Sequence, residues 1–119
     1  MHNELMDRLF KFAVEVITLT RKLPNFSEIK AIKYQLIKSA TSSGANYEEA
    51  QAGSSKADFI NKVQISLKEM RESNYWLRII NSSFDLTPNQ LSKLEFLIKE
   101  SNELKKILGS IIVKSKKNP

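Results

Sequence analysis

The stretch QLIKSATSSGANYEEAQAGSSKADFINKVQISLKEMRESNYWL, residues 35–77, decides the fold of this chain. It reads as two helices joined by a short turn, with Gly53 at the end of the first helix. Ser55 and Asp58 make a capping-box pattern that starts the second helix. So short a link forces the two helices to lie antiparallel, with their facing residues in contact.

The segments on either side of this hairpin predict one further helix each. Thr87 as N-cap, Pro88 at the first helical position and Gln90 at the third predict the start of the last helix. Between residues 4 and 22, apolar side chains recur at helical spacing and mark the predicted inner face, at Met6, Leu9, Phe10, Ala13, Val16 and Ile17. Leu5, Phe12 and Leu19 widen this apolar arc, as expected for a helix that touches two neighbours.

The predicted helices span about residues 4–22, 27–52, 55–82 and 88–113, and a basic tail occupies residues 114–119. Helices of matched length with short connections are typical of bundles in which each helix packs beside the next. The sequence therefore predicts an all-α fold, a single antiparallel up-down-up-down four-helix bundle domain.

The composition bounds the class of protein. A chain of 119 residues with 41% hydrophobic and 27% charged residues is typical of one globular domain. Without cysteine there is no disulfide framework, thiolate chemistry or cysteine zinc site. No apolar run reaches the length of a membrane span, and the amino terminus carries acidic residues where a signal peptide would be basic. We therefore expect a cytoplasmic protein that makes no membrane contact.

The formal net charge of +6 lies mostly in the second half of the chain. Residues 61–119 hold eleven basic and six acidic side chains, and the predicted tail contributes Lys114, Lys116 and Lys117. A basic balance permits affinity for nucleic acid or another acidic surface. Lysine-rich solvated faces are also common, so the charge alone does not establish such a partner.

Helix two carries a stripe of mostly uncharged polar residues at helical spacing, formed by Gln35, Ser39, Ser42, Asn46 and Glu49. Gly44 lies beside the stripe, and a glycine inside a helix costs about 1 kcal/mol relative to alanine. A close approach by another helix would offset that cost. The stripe therefore predicts either packing within the chain, with locally satisfied hydroxyl groups, or a helix–helix contact between subunits.

Helix three carries two carboxylates, Glu69 and Glu72, on the same stripe as Trp76. A carboxylate between aliphatic and aromatic side chains is partly desolvated unless it is paired. A di-iron bundle site would need Glu-x-x-His motifs on two helices, and the only histidine is His2. We predict no catalytic or metal role, and instead a structural pairing with Lys, Arg or the Asn46 region.

Arg71 and Arg78 flank the aromatic pair Tyr75–Trp76 on helix three. Aromatic side chains interleaved with arginines suit base stacking and phosphate contact in RNA-binding proteins. The same group suits a protein–protein hot spot, or a tryptophan buried where two helices meet. Candidate RNA contacts are Arg71, Arg78, Lys114, Lys116 and Lys117.

Residues spread over most of the chain carry a family resemblance. They are Arg21–Pro24 with Glu28, Gln35–Leu36, Ser43–Ala50, Ser54–Ile60, Leu67–Glu69, Arg71–Glu72 and Tyr75–Leu77. This set resembles a small four-helix-bundle family first noticed as proteins encoded by intervening sequences within bacterial 23S rRNA genes, and long classed as ribosomal proteins. The resemblance implies an antiparallel four-helix bundle that assembles into a ring-like homo-oligomer, a pentamer. It also implies rRNA or a ribosomal component as a candidate partner.

Two functions from different classes follow. The first is a non-enzymatic scaffold or interaction protein that self-associates through the polar stripe, with Glu69, Glu72 and Trp76 at the same interface or in polar packing. The second is an RNA-associated protein that acts near the ribosome. An enzyme is not predicted, because no nucleophile, base or metal set appears, and we expect no cofactor and no small-molecule substrate.

Overall fold

The computed structural model describes residues 3–118, and over that range it contains four helices and no strand. The helices are α1 (Glu4–Arg21), α2 (Ser27–Gln51), α3 (Lys56–Ser83) and α4 (Pro88–Lys117). They form a body with principal extents of 50 × 23 × 22 Å. The predicted all-α fold with four helices is confirmed.

Local hydrogen bonds explain where three of the helices begin. Asn3 accepts from the Met6 backbone N–H at the start of α1, and Ser55 accepts from the Asp58 N–H at the start of α3. Thr87 and Gln90 form the predicted capping box at α4, where each side chain bonds the other residue's backbone N–H. These bonds satisfy amide groups that a helix leaves unpaired at its first turn.

The predicted basic tail is wrong, because α4 continues to Lys117. Ile112 is buried and Ser115 is half-buried, so the face that packs on the bundle extends beyond residue 113. Lys114, Lys116 and Lys117 fall in the last turn of α4. Their positive charges are favourable there, because a helix carries a partial negative charge at its carboxyl end.

Each helix packs beside two neighbours, in the order α1, α2, α3, α4 and back to α1. In three of these helix pairs, contacts that come later on one helix come earlier on its partner. They are Ser39–Ser73 and Ser43–Ser66 for α2 and α3, Arg8–Glu100 and Glu15–Lys93 for α1 and α4, and Asn3–Gln51 and Leu9–Gly44 for α1 and α2. These registers are consistent with an antiparallel up-down-up-down bundle.

The core on α1 is centred on the predicted wider arc rather than on the predicted inner face. Its buried apolar residues are Leu5, Leu9, Phe12, Val16 and Leu19, whereas Phe10 is 64% exposed. The predicted inner positions Met6, Ala13 and Ile17 are only half-buried. Helix α1 has apolar residues around more of its circumference than one core can bury, so helical spacing alone could not decide which arc faces inward.

Buried serines bring α2 and α3 into close contact. The Ser43 hydroxyl donates to the Ser66 carbonyl at 2.8 Å, and the Ser66 hydroxyl donates back to the Ser43 carbonyl at 2.7 Å. One turn away, the Ser39 and Ser73 hydroxyl oxygens lie 2.7 Å apart. A serine hydroxyl reaches only two bonds from its own backbone, so these contacts require the two helix backbones to approach closely. The hydroxyl groups bond backbone carbonyls as well as each other, so they are satisfied in a site closed to water.

We expect Gly44→Ala to stabilise the protein by about 1 kcal/mol, the difference in helix propensity between the two residues. A β-carbon placed at Gly44 would meet the nearest atoms of Leu9 at 3.6 Å, which is ordinary van der Waals contact. Gly109→Ala is the matched control, because no atom lies within 4 Å of its added β-carbon. Chemical denaturation of both variants would measure the change. A clear loss of stability for Gly44→Ala alone would show that α1 approaches α2 more closely than described.

Candidate interaction surfaces

The polar stripe of α2 divides between the interior and the surface. Ser39 and Gly44 are buried in contacts within the chain, against α3 and α1 respectively. Asn46 donates to the carbonyl and the hydroxyl oxygen of Ser42, so these two half-buried residues bond within their own helix. Intrachain packing thus accounts for part of the stripe.

The remaining stripe positions, Gln35 and Glu49, are less buried. Gln35 is half-buried and Glu49 is exposed. The register set by the serine pairs places Gln35 near the level of Trp76 and Ser42 near the level of Glu69. The charge of Lys38 on α2 acts on Glu69, so this part of α2 lies near Glu69 on α3.

Glu69 and Glu72 are half-buried, and neither carboxylate forms an ion pair or side-chain hydrogen bond with any residue from 3 to 118. The predicted pairing with Lys, Arg or Asn46 is therefore wrong. Burial raises the pKa of Glu69 above its ordinary value, and the neighbouring charge of Glu72 raises it further. Lys38 and Lys68 oppose this rise through their charges without closing an ion pair.

Trp76 lies on the same side of α3 and is half-buried against the core. Its indole N–H is enclosed and has no hydrogen-bond partner among the described residues. An unpaired buried donor costs roughly 1–3 kcal/mol. The Tyr75 ring packs edge-on against Trp76, with ring centroids 5.1 Å apart.

A second groove, about 330 Å³ in volume, lies between α1 and α2. Its walls are mostly apolar or small side chains and include Phe10, Ala13, Val14, Ile17, Thr41 and Ala45. Phe10 and Val14 are 64% and 47% exposed. We call this surface the Phe10 groove. Sequence reasoning missed it because the spacing of Phe10, Ala13 and Ile17 is also that of a core face.

The α3/α4 side of the bundle is basic. Arg71 and Arg78 are exposed on α3, and Lys105 lies half-buried on α4. The charges of both arginines act on Lys105 and lower its pKa. The ion pairs of the described chain lie instead on the α1/α4 side, where Arg8 bonds Glu100 and Glu103, and Lys93 bonds Glu15. Lys114, Lys116 and Lys117 are exposed at the far end of α4, on a different part of the surface.

A depression of about 650 Å³ lies where the end of α1 meets the start of α4. Glu15, Lys22, Lys93 and Phe96 contribute to its walls. Over residues 3–118, no three His, Cys, Asp or Glu side chains come together in a way that could hold a metal ion. None of the described helices has the length and apolar character needed to cross a membrane.

Comparison with known proteins gives the family. The family model described as 23S rRNA-intervening sequence protein matches residues 1–110, and the chain belongs to this family. It is similar to a crystal structure, at 1.70 Å resolution, of a protein of unknown function from the S23 ribosomal protein family of Bacteroides thetaiotaomicron. The TM-score is 0.77 at 36% identity, over 91% of this chain and 97% of that one. No curated protein matches the chain.

We expect Glu69→Gln to stabilise the folded protein at neutral pH. Folding raises the pKa of this carboxyl above 4.5, so the folded chain holds the proton more tightly than the unfolded chain. Stability in the wild-type chain therefore falls as pH rises through that raised pKa. The advantage of Glu69→Gln should appear over the same range and vanish in more acidic buffer.

Denaturant titrations at a series of pH values would measure this difference. Glu95→Gln is the matched control, because Glu95 is an exposed carboxylate on α4. Its free energy of unfolding should follow that of the wild-type chain at every pH. An advantage of Glu69→Gln that does not change with pH would contradict the assignment.

Proposed function

We propose that this chain is a non-enzymatic interaction protein of the cytoplasm that self-associates through the Phe10 groove. The observation that carries the proposal is the exposure of Phe10 and Val14 beside small residues on α2. Isolated exposed apolar residues are ordinary, but a contiguous apolar groove marks a site of interaction. Five subunits, the number that the family resemblance implies, are part of the proposal.

The chemistry of the Phe10 groove suits a protein surface. Ala13 and Ala45 leave room for side chains from another molecule, and Phe10 is of the aromatic type enriched at interface centres. Glu48 is the charged residue among those that line the groove. A ring needs two different surfaces on each subunit, so the groove would receive another face of the next copy.

A scaffold role also fits the side chains that the described chain presents. The Phe10 groove and the depression between α1 and α4 are lined by hydroxyl, amide, carboxylate, lysine and apolar groups. None of their hydroxyl groups is hydrogen-bonded to a basic side chain of the described chain that could activate it for group transfer. Residues 3–118 contain no histidine that could accompany the carboxylates Glu69 and Glu72. These features support binding over bond-making chemistry.

We expect the purified protein to have a multiple of its 13.6 kDa chain mass in light scattering after gel filtration. A clean monomer at high micromolar concentration would contradict self-association. Phe10→Lys should dissociate the assembly while the helical circular dichroism signal persists, because Phe10 is largely exposed in the single chain. Phe26→Lys is the matched control, since Phe26 is 55% exposed at the start of α2, outside the groove.

Ser42→Arg separates the two candidate interfaces. Ser42 lies half-buried beside Asn46, on the polar stripe and away from the residues that line the Phe10 groove. Dissociation by Phe10→Lys and not by Ser42→Arg would support the Phe10 groove. Dissociation by Ser42→Arg alone would move the interface to the polar stripe of α2.

RNA association is the second candidate function, with rRNA or a ribosomal component as the partner. The basic α3/α4 side favours it, because its cations form no ion pair with any carboxylate in residues 3–118. The net charge of +6 adds long-range attraction for a polyanion. Purification from its own cells would test this function. Nucleic acid that co-purifies with the protein supports it, and bare protein contradicts it.

A further inference from the structure

The α3/α4 side carries neighbouring cations, and one of them lies over an exposed aromatic ring. Arg71, Tyr75 and Arg78 are spaced four and three residues apart, which places them on one face of α3. The Arg78 guanidinium lies 5.7 Å from the centre of the Tyr75 ring. Tyr75 itself is 47% exposed, so its ring is open to solvent beside these charges.

A buried hydrogen-bond network orients Arg78. Its Nε donates to the Asn74 Oδ1 at 2.9 Å. Asn74 is buried, and its amide nitrogen donates to the Ser101 hydroxyl at 2.9 Å and to the Asn102 Oδ1 at 3.2 Å on α4. An arginine held through Nε keeps its terminal N–H groups for a ligand. Because Asn74 is neutral, it fixes the guanidinium without neutralising it.

Lys105 completes the group from the neighbouring helix. Burial lowers its pKa below the ordinary lysine value, and the charges of Arg78, Arg71 and Lys106 lower it further. The carboxylates of α4 nearest in sequence, Glu100 and Glu103, bond Arg8 on the opposite flank. Like charges held together without a counter-ion are unfavourable in the free protein. A bound anion would relieve that repulsion.

We propose that Arg71, Arg78 and Lys105 form a phosphate-binding site for single-stranded nucleic acid, with Tyr75 as a stacking surface for a base. This inference rests on the second candidate function and assigns it a site. A planar guanidinium matches the oxygens of a phosphate with two parallel hydrogen bonds. Aromatic side chains beside a basic surface stack the bases of single strands without strong sequence preference. The open Tyr75 ring therefore favours a nucleic acid over an acidic protein segment.

The test is binding of the full-length protein to a fluorescent short oligouridylate, followed by anisotropy at several salt concentrations. The double variant Arg71→Gln with Arg78→Gln should bind about tenfold or more weakly. The slope of its log affinity against log salt concentration should also become less steep, by the amount that about two phosphate contacts contribute. Lys30→Gln with Lys56→Gln is the matched control, since it removes the same charge at exposed positions near the starts of α2 and α3. That control should bind nearly as tightly as the wild-type protein.

Tyr75→Leu tests the contribution of base stacking separately from that of phosphate binding. It should weaken oligouridylate binding while leaving binding of inorganic polyphosphate unchanged, because polyphosphate has no base to stack. Equal losses for both double variants would overturn the site in favour of general electrostatic attraction. Polyglutamate that binds as tightly as oligouridylate would overturn the nucleic-acid assignment, and absence of binding at low salt would overturn the proposal itself.

Light scattering on the same variants separates this inference from self-association. Arg71 and Arg78 do not line the Phe10 groove, so their replacement should leave the assembled mass unchanged. A chain that assembles without binding oligouridylate removes the phosphate site and leaves self-association standing. A monomer that binds oligouridylate removes self-association and leaves the phosphate site standing.

Discussion

The reciprocal hydrogen bonds between Ser43 and Ser66 are the constraint on which the rest of the bundle depends. Each hydroxyl reaches the other residue's carbonyl, at 2.8 and 2.7 Å, so α2 and α3 must lie close together. Neither position has room for a large side chain. The apolar residues of these helices therefore pack above and below the serines, where Leu36, Met70 and Leu77 are fully buried.

Three different surfaces surround this close contact. The Phe10 groove is apolar, one face of α3 carries the half-buried carboxylates Glu69 and Glu72, and the α3/α4 side is basic. Each surface contains side chains that lack a partner within the described chain. The first exposes aliphatic and aromatic area, the second has half-buried carboxylates without an ion pair, and the third has cations without a carboxylate partner. Self-association and anion binding can therefore use separate faces of one small bundle.

Local signals in the sequence were enough for the fold, but the surfaces depend on tertiary packing. The Thr87 capping box predicted the start of α4, because such caps are made within a few residues. The outward position of Phe10 was not predictable, because it depends on how α1 is rotated against its neighbours. The same holds for Glu69, whose predicted partner is missing, and for Arg78, whose orientation comes from Asn74 and two residues of α4. The sequence does not predict the extension of α4 to Lys117, because a run of lysines is also typical of a solvated tail, whereas Ile112 and Ser115 still face the bundle.

The close α2/α3 contact is tested most directly by comparing the free energies of unfolding of Ser66→Leu and Ser66→Ala. Alanine removes one hydroxyl and fits the space. Leucine is larger than the gap that a serine side chain spans between α2 and α3, so it must push the two helix backbones apart. Overpacking of this kind costs about 1–3 kcal/mol, so Ser66→Leu should be less stable than Ser66→Ala by at least that amount. Equal stability of the two variants would show that α2 and α3 are not in close contact at this level, and would contradict the account.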